Sequence, residues 1–201
     1  MSQARLDALA SLGTRFGVAD GPIDRFALFG RDVPCVLDIG FGDGETLLAD
    51  AVAHPERDVL GVEVHTPGLA SLLLRLDEAG ITNVRVARAD ALELLDRMPP
   101  SSLAELRVLF PDPWPKRKHE ARRLVRPDVV TRLVDRLEVG GVLHVATDWP
   151  HYAAQMRTVL AAEARLAPAV EDRAGRAVTK YERLGLAAGR PIVDLRAVRV
   201  G

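Results

Sequence analysis

Apolar and polar positions alternate along this chain in two rhythms, and their order predicts the fold. Leu6, Leu9 and Leu12, with Ala8 and Ala10 beside them, have helical spacing. The stretch from there to Pro34 is irregular, punctuated by Gly and Pro. Short apolar runs then alternate with helical patterns. CVLDIG, DVLGVEVH, NVRVARAD, LAELRVLF and VLHVATD read as strands. ETLLADAVAHP, PGLASLLLRLDEAG, ALELLDRM, RPDVVTRLVDRLEVGG and HYAAQMRTVLAAEARL read as helices. Pro67 near the start of its helix and Gly80 past the end follow the usual asymmetry, as do Pro127 and Gly140–Gly141. AVTKYE and PIVDLRAV are two further candidate strands, joined by RLGLAAGR, which is too short for a crossover helix with its turns. They are expected to form an antiparallel pair at one edge.

This order predicts an α/β fold. It is doubly wound, with a mostly parallel seven-stranded sheet, an antiparallel edge strand and helices on both faces. Residues 1–34 form an N-terminal helix and irregular lead-in, and residues 35–201 a single domain.

Composition narrows the classes. The formal net charge is -1, so overall charge announces no nucleic-acid partner; any basic surface must be local. Cys35 is the only cysteine, which excludes a disulfide framework and disfavours a cysteine metal site. It is expected to be a small core residue. The histidines lack ligand spacing, and no metal is expected. No signal peptide or membrane span is apparent, so a cytoplasmic protein is expected.

Ligands of doubly wound sheets bind outside the carboxyl ends of the strands. The first such end reads DIGFGDGE, residues 38–45. Gly40, Gly42 and Gly44 allow a tight turn, but their GxGxG spacing is not the dinucleotide fingerprint. Asp38, Asp43 and Glu45 would repel a pyrophosphate and attract hydroxyls, an ammonium or a sulfonium. S-adenosylmethionine offers all three and no phosphate. A simpler reading has Asp43 and Glu45 serving the next helix's N-terminus. Glu63 after the second strand can accept ribose hydroxyls or be a solvated loop acid. Asp90 follows the third strand and Asp112 the fourth. One acid at each of four successive strand ends points to a methyl-donor site.

A second cluster follows Asp112. Lys116, Arg117, Lys118, Arg122, Arg123 and Arg126 hold two of the chain's three lysines. On a near-neutral chain this excess suits a phosphate backbone, a solvated face being the plainer alternative. Trp114, Trp149, Tyr152 and Tyr181 all fall near the candidate motifs. They can stack on an extruded base, although packing under a loop explains Trp149 equally.

These segments together resemble the bacterial tRNA (guanine-N7)-methyltransferase family, a class I S-adenosylmethionine-dependent fold. The resemblance runs from about Phe26 to Val198 through ALFGR, LDIGFGDGE, GVEVHTPG, FPDPWPKRKH, TDWPHY, VTKYE and IVDLR. It implies methylation of guanosine N7 in the tRNA variable loop, usually at position 46, with S-adenosylhomocysteine as product. It also implies that Asp38, Gly40, Gly42, Glu63, Asp90 and Asp112 bind the donor, with Asp112 catalytic. Lys116, Asp148, Thr179, Lys180, Tyr181 and Glu182 would contact the substrate, and Lys118, Arg122 and Arg123 the RNA backbone. The partner would be tRNA, and the protein a monomer or homodimer. The family often has glutamate at Asp38, a polar-basic run where Glu120 and Ala121 stand, and a longer basic N-terminus. Two other readings remain: an amino-group methyltransferase with an acid-Pro-aromatic loop, and a non-catalytic RNA-binding module supporting a partner. A nicotinamide dehydrogenase is more distant.

Overall fold

A computed structural model describes residues 3–201; residues 1 and 2 of the expected lead-in lie outside the described residues. The chain divides between Pro99 and Pro100 into two compact units. Among the described residues seven strands form a mixed, mostly parallel sheet.

In the first unit the elements are α1 (Gln3–Phe16), α2 (Arg25–Phe29), β1 (Cys35–Ile39), α3 (Glu45–Ala53), β2 (Asp58–Val62), α4 (Thr66–Glu78), β3 (Val84–Ala87) and α5 (Ala91–Asp96). β1 pairs with β2 in parallel, and β2 with β3. All five residues of β1 and of β2 are buried, which is why these strands read as continuous apolar runs. Leu72, Leu73 and Leu76 of α4 pack with Phe16, Phe41, Leu47, Val59 and Val84. Each such leucine contributes about 1.5–3 kcal/mol by leaving water. Phe16, fully buried, docks α1 onto this core. Burial pushes the Cys35 thiol up to about 12, in keeping with an inert core residue. α2 interrupts the stretch read as irregular. Asp24 caps it by accepting from the Phe26 and Ala27 N–H groups, and Gly30 ends it at a φ of 73°.

The second unit contains β4 (Leu103–Leu109), a short 3-10 helix (Arg117–Arg122), α6 (Pro127–Arg136), β5 (Leu137–Thr147), α7 (Pro150–Ala162), β6 (Val170–Glu171), α8 (Lys180–Ala187) and β7 (Val193–Val198). β4 and β5 are parallel, whereas β7 runs antiparallel to both β5 and β6. Val129, Val130, Leu133 and Val134 of α6 and Met156 of α7 are buried apolar residues here.

Two expectations are corrected. The helix read through LEVGG ends at Arg136, and Leu137 already belongs to an eleven-residue β5. A register shift between Leu103 and Glu105 accommodates the extra residues. A Cβ on Gly141 would lie 2.9 Å from the Leu103 carbonyl oxygen, so this glycine serves close strand approach instead of helix termination. The second correction concerns AVTKYE, which is not a strand. Thr179 accepts from the Glu182 N–H at 2.9 Å and starts α8, which occupies the segment read as a connection. The Thr-x-x-Glu spacing is a helix-start signal. The antiparallel partners of β7 are therefore β5 and the two-residue β6.

Candidate active site

Within the first unit, β1 delivers Asp38, 2% exposed, to the start of a glycine turn. Gly40, Gly42 and Gly44 have φ values of 71°, 62° and 72°, a region in which a side chain is strained. Gly40 N donates to Val62 O at 2.8 Å, tying the turn to β2. Glu63 braces it from the other side. Its Oε2 accepts from Gly42 N at 2.8 Å, and its Oε1 from Val64 N and His65 N, each at 2.8 Å. Three of about four acceptor sites on that carboxylate are thus committed to backbone. The start of α4 closes on the turn as well: a Cβ on Gly68 would lie 2.1 Å from Gly42 O. Above Gly40 the situation reverses, for a Cβ there meets nothing within 4 Å. The turn is rigid beneath and open at Gly40.

Two acids of this unit serve helix starts. Asp90 is exposed, lies three residues past β3 and caps α5, with Oδ1 accepting from Leu92 N at 2.7 Å and Glu93 N at 3.4 Å. Asp43 Oδ1 accepts from Glu45 N at 3.3 Å, the helix-start role of the simpler reading. These residues fit a sulfonium-bearing donor: an acid-lined turn with open space at Gly40 and, among the described residues, no cation hydrogen-bonding to the Glu63 carboxylate.

In the second unit, the segment after β4 is held differently. Phe110 and Trp114 carry φ values of 54° and 41°. For such residues the left-handed region costs roughly 1–2 kcal/mol each, so surrounding contacts must impose it. Phe110 N donates to Ala146 O at 2.8 Å. Arg123, 2% exposed, lies beneath the turn. Its Nε donates to Pro113 O at 2.8 Å, Nη2 to Trp114 O at 3.3 Å and Nη1 to Gln155 Oε1 at 2.5 Å, with the guanidinium 5.0 Å from the Tyr152 ring centroid. Between the two left-handed residues, Asp112 is exposed and makes no hydrogen bond or ion pair among the described residues.

The expected RNA contacts separate on this basis. Lys116, Lys118 and Arg122 are exposed, Arg122 lying 4.9 Å over the Trp114 ring while His119 meets that ring edge-on at 5.7 Å. Arg123 is the exception. It is an internal strut of the turn, and a phosphate reaches it only if the turn opens. Glu120 pairs with Arg123 at 3.6 Å, so the acid at the family departure is also tied into the turn.

Asp148, just past β5, accepts from Arg190 Nε at 2.8 Å, and a Cβ on Gly185 would lie 2.7 Å from its own Cβ. Thr179 caps α8, while Lys180 and Tyr181 are exposed on it. Glu182 faces inward, 4% exposed, and pairs with Arg176 at 2.6 Å and Arg173 at 3.1 Å. Trp149 is half-buried at the start of α7.

Sequence reasoning passed over Arg176, Arg190, His144 and Asp194. His144 Nε2 lies 2.9 Å from Asp194 Oδ1 on the neighbouring strand. Burial alone would lower the His144 pKa; its bonds to Asp194 and Glu105 outweigh burial and raise it above the ordinary value. The available signal was an ionisable residue within each of two largely apolar strands, VLHVAT and VDLRAV. Among the described residues no group of three or more His, Cys, Asp or Glu side chains is placed to hold a metal ion. Nor is any described helix long and apolar enough to cross a membrane.

Comparison with known proteins places the chain in a family. Residues 32–195 match the family model described as putative methyltransferase. The tRNA (guanine-N(7)-)-methyltransferase of Halorhodospira halophila is 47% identical, over 97% of this chain and 89% of its own. That of Chromohalobacter salexigens is 44% identical, over 100% of this chain and 86% of its own. The 16S rRNA methyltransferase KamB superposes with a TM-score of 0.66 at 20% identity, covering 92% of this chain and 96% of its own, which shows the class I methyltransferase fold. With identity at this level over nearly its whole length, the chain belongs to the tRNA (guanine-N7)-methyltransferase family.

Proposed function

We propose that this protein transfers a methyl group to N7 of a guanosine in tRNA, at position 46 of the variable loop, in the cytoplasm. S-adenosylmethionine is the donor, and when bound it supplies an electrophilic methyl on a sulfonium. The observation that carries the reading is the family membership joined to Asp112, exposed between two left-handed residues and followed by exposed cations. Residues 35–201 work as one methyltransferase domain, monomeric or homodimeric, with residues 1–34 as its lead-in.

Asp38, Gly40, Gly42, Glu63 and Asp90 bind the donor. The acids attract its positive and hydroxyl-bearing groups, and Glu63 keeps the glycine turn in shape. Guanine N7 carries an in-plane lone pair and needs no deprotonation, so no strong general base is required. Catalysis consists of alignment and charge stabilisation. Asp112 contacts the donor, accepts from the guanine N1–H and amino group, and stabilises the positive charge that develops on the purine. Adenine offers no such donor pair at that edge. Asp148, Thr179, Lys180 and Tyr181 support the substrate, with Asp148 oriented by Arg190. Lys116, Lys118 and Arg122 meet phosphates. Exposed cations of this kind set affinity and its salt dependence more than base choice.

The test supplies an unmodified tRNA transcript and labelled S-adenosylmethionine. Label is expected in the transcript and absent when the variable-loop guanosine is replaced by adenosine. Undiminished incorporation into the replaced transcript would overturn the position.

A further inference from the structure

Charge, more than apolar packing, holds the segment between β6 and α8. The Arg176 side chain is 4% exposed. Its Nε donates to Asp194 Oδ1 at 2.6 Å and its Nη2 to Asp194 Oδ2 at 2.8 Å, a two-pronged grip on β7. Its Nη1 donates to Glu182 Oε2 at 2.6 Å, in the first turn of α8. The guanidinium carbon lies 5.3 Å from the centroid of the Phe110 ring, within cation–π range. Asp194 Oδ1 also meets His144 Nε2 at 2.9 Å, and His144 Nδ1 lies 3.9 Å from Glu105 Oε1, so the grip reaches into β5 and β4.

We propose that Arg176 is a positioning residue of the acceptor side, fixing the turn that presents Asp112, through Phe110, against the first turn of α8. This rests on the function proposed above. Phe110 is the residue at which β4 becomes that turn, and its left-handed conformation is unfavourable to a phenylalanine. Its backbone is held by Ala146 O and its ring by the guanidinium. Two holds on adjacent parts of one strained residue leave little freedom for the Pro111–Asp112–Pro113 segment. Glu182, expected at the substrate, acts through Arg176 and Arg173 instead, because both of its oxygens face those arginines. Arg176 itself touches no reacting atom.

The test compares full-length wild type with Arg176→Lys, Phe110→Leu and Phe110→Tyr. Turnover on saturating tRNA, S-adenosylmethionine affinity by calorimetry and thermal midpoint are measured for each. Arg176→Lys keeps a charge but loses the two-pronged grip, so kcat is expected to fall about 10- to 100-fold through misalignment, with donor affinity unchanged. Phe110→Leu leaves every ion pair in place and is expected to lower kcat with little change in midpoint, whereas Phe110→Tyr restores it. Wild-type kcat in both Arg176→Lys and Phe110→Leu would overturn the proposal, as would a loss of donor affinity matching the loss of kcat. Should Arg176→Lys not fold, the Leu and Tyr variants at 110 decide alone, equal kcat in the two counting against it. A wild type that methylates no tRNA guanosine removes the functional reading together with this one.

Discussion

The turn at Gly40–Gly44 and the turn at Phe110–Trp114 both follow parallel strands, and they are built by opposite means. The first uses glycines, for which a positive φ carries no side-chain penalty, and is braced chiefly by neighbouring backbone and by Glu63. The second places Phe110 and Trp114 in the same region, where each is strained, and relies on Arg123 and Arg176 arriving from elsewhere in the chain. A turn that carries its own conformation can rest against its neighbours and await a ligand. A turn imposed from outside presents one side chain, Asp112, in a direction its local sequence does not choose.

Substitutions can break this contrast or sharpen it. The largest effect is expected for Asp112→Asn, which removes the charge and keeps the turn. Methyl transfer should fall by about 100-fold or more while calorimetric donor binding changes little; equal loss of both would make Asp112 a donor-binding residue only. Next comes Gly68→Ala. Its Cβ would meet Gly42 O at 2.1 Å, so α4 or the turn must move. Overpacking of about 1–3 kcal/mol should weaken donor affinity by roughly tenfold, and unaltered affinity would detach α4 from the turn's shape.

Arg122 and Arg123 make the sharpest adjacent pair. Arg123→Gln leaves the carbonyls of Pro113 and Trp114 without their donor and should cost about 1–3 kcal/mol of stability, as buried acceptors left unsatisfied do. Arg122→Gln should leave the thermal midpoint nearly unchanged and reduce the salt slope of tRNA binding by about one phosphate. Reversed phenotypes would exchange the two roles. The smallest effect belongs to His144. Its folded pKa stands above the ordinary 6.5, so its proton is held more tightly in the folded protein. The resulting stabilisation is full below about pH 6.5 and is lost as pH rises through the folded value. Denaturant midpoints should therefore decline above that pH, and His144→Gln should flatten the decline.

The same contrast explains what the sequence disclosed. Buried parallel strands read as apolar runs because both their faces leave water, so β1 and β2 are plain in the pattern. Pro67 and Gly80 bracket α4 for local reasons. The two errors have different causes, one a long-range strand pairing and the other a local helix cap. LEVGG continues a helical pattern, yet pairing with β4 draws it into β5. AVTKYE reads as a candidate strand, yet the Thr179 hydroxyl makes it a helix start. Acids near strand ends stand out in a sequence, as Asp38, Glu63 and Asp112 do. Arg122 and Arg123 are chemically identical neighbours, and only the fold makes one exposed and the other buried. The Arg176 cluster was hidden because its partners lie 6, 18 and more residues away, and no short motif records such pairings.

The account's central claim is that an Asp112-dependent site methylates guanine N7. Its most direct test incubates wild-type protein and Asp112→Asn with unmodified tRNA and S-adenosylmethionine, then maps borohydride–aniline cleavage along the transcript. One wild-type cleavage at the variable-loop guanosine, absent or greatly reduced for Asp112→Asn, is the predicted result. Methyl incorporation without cleavage, or equal cleavage by both proteins, would contradict it.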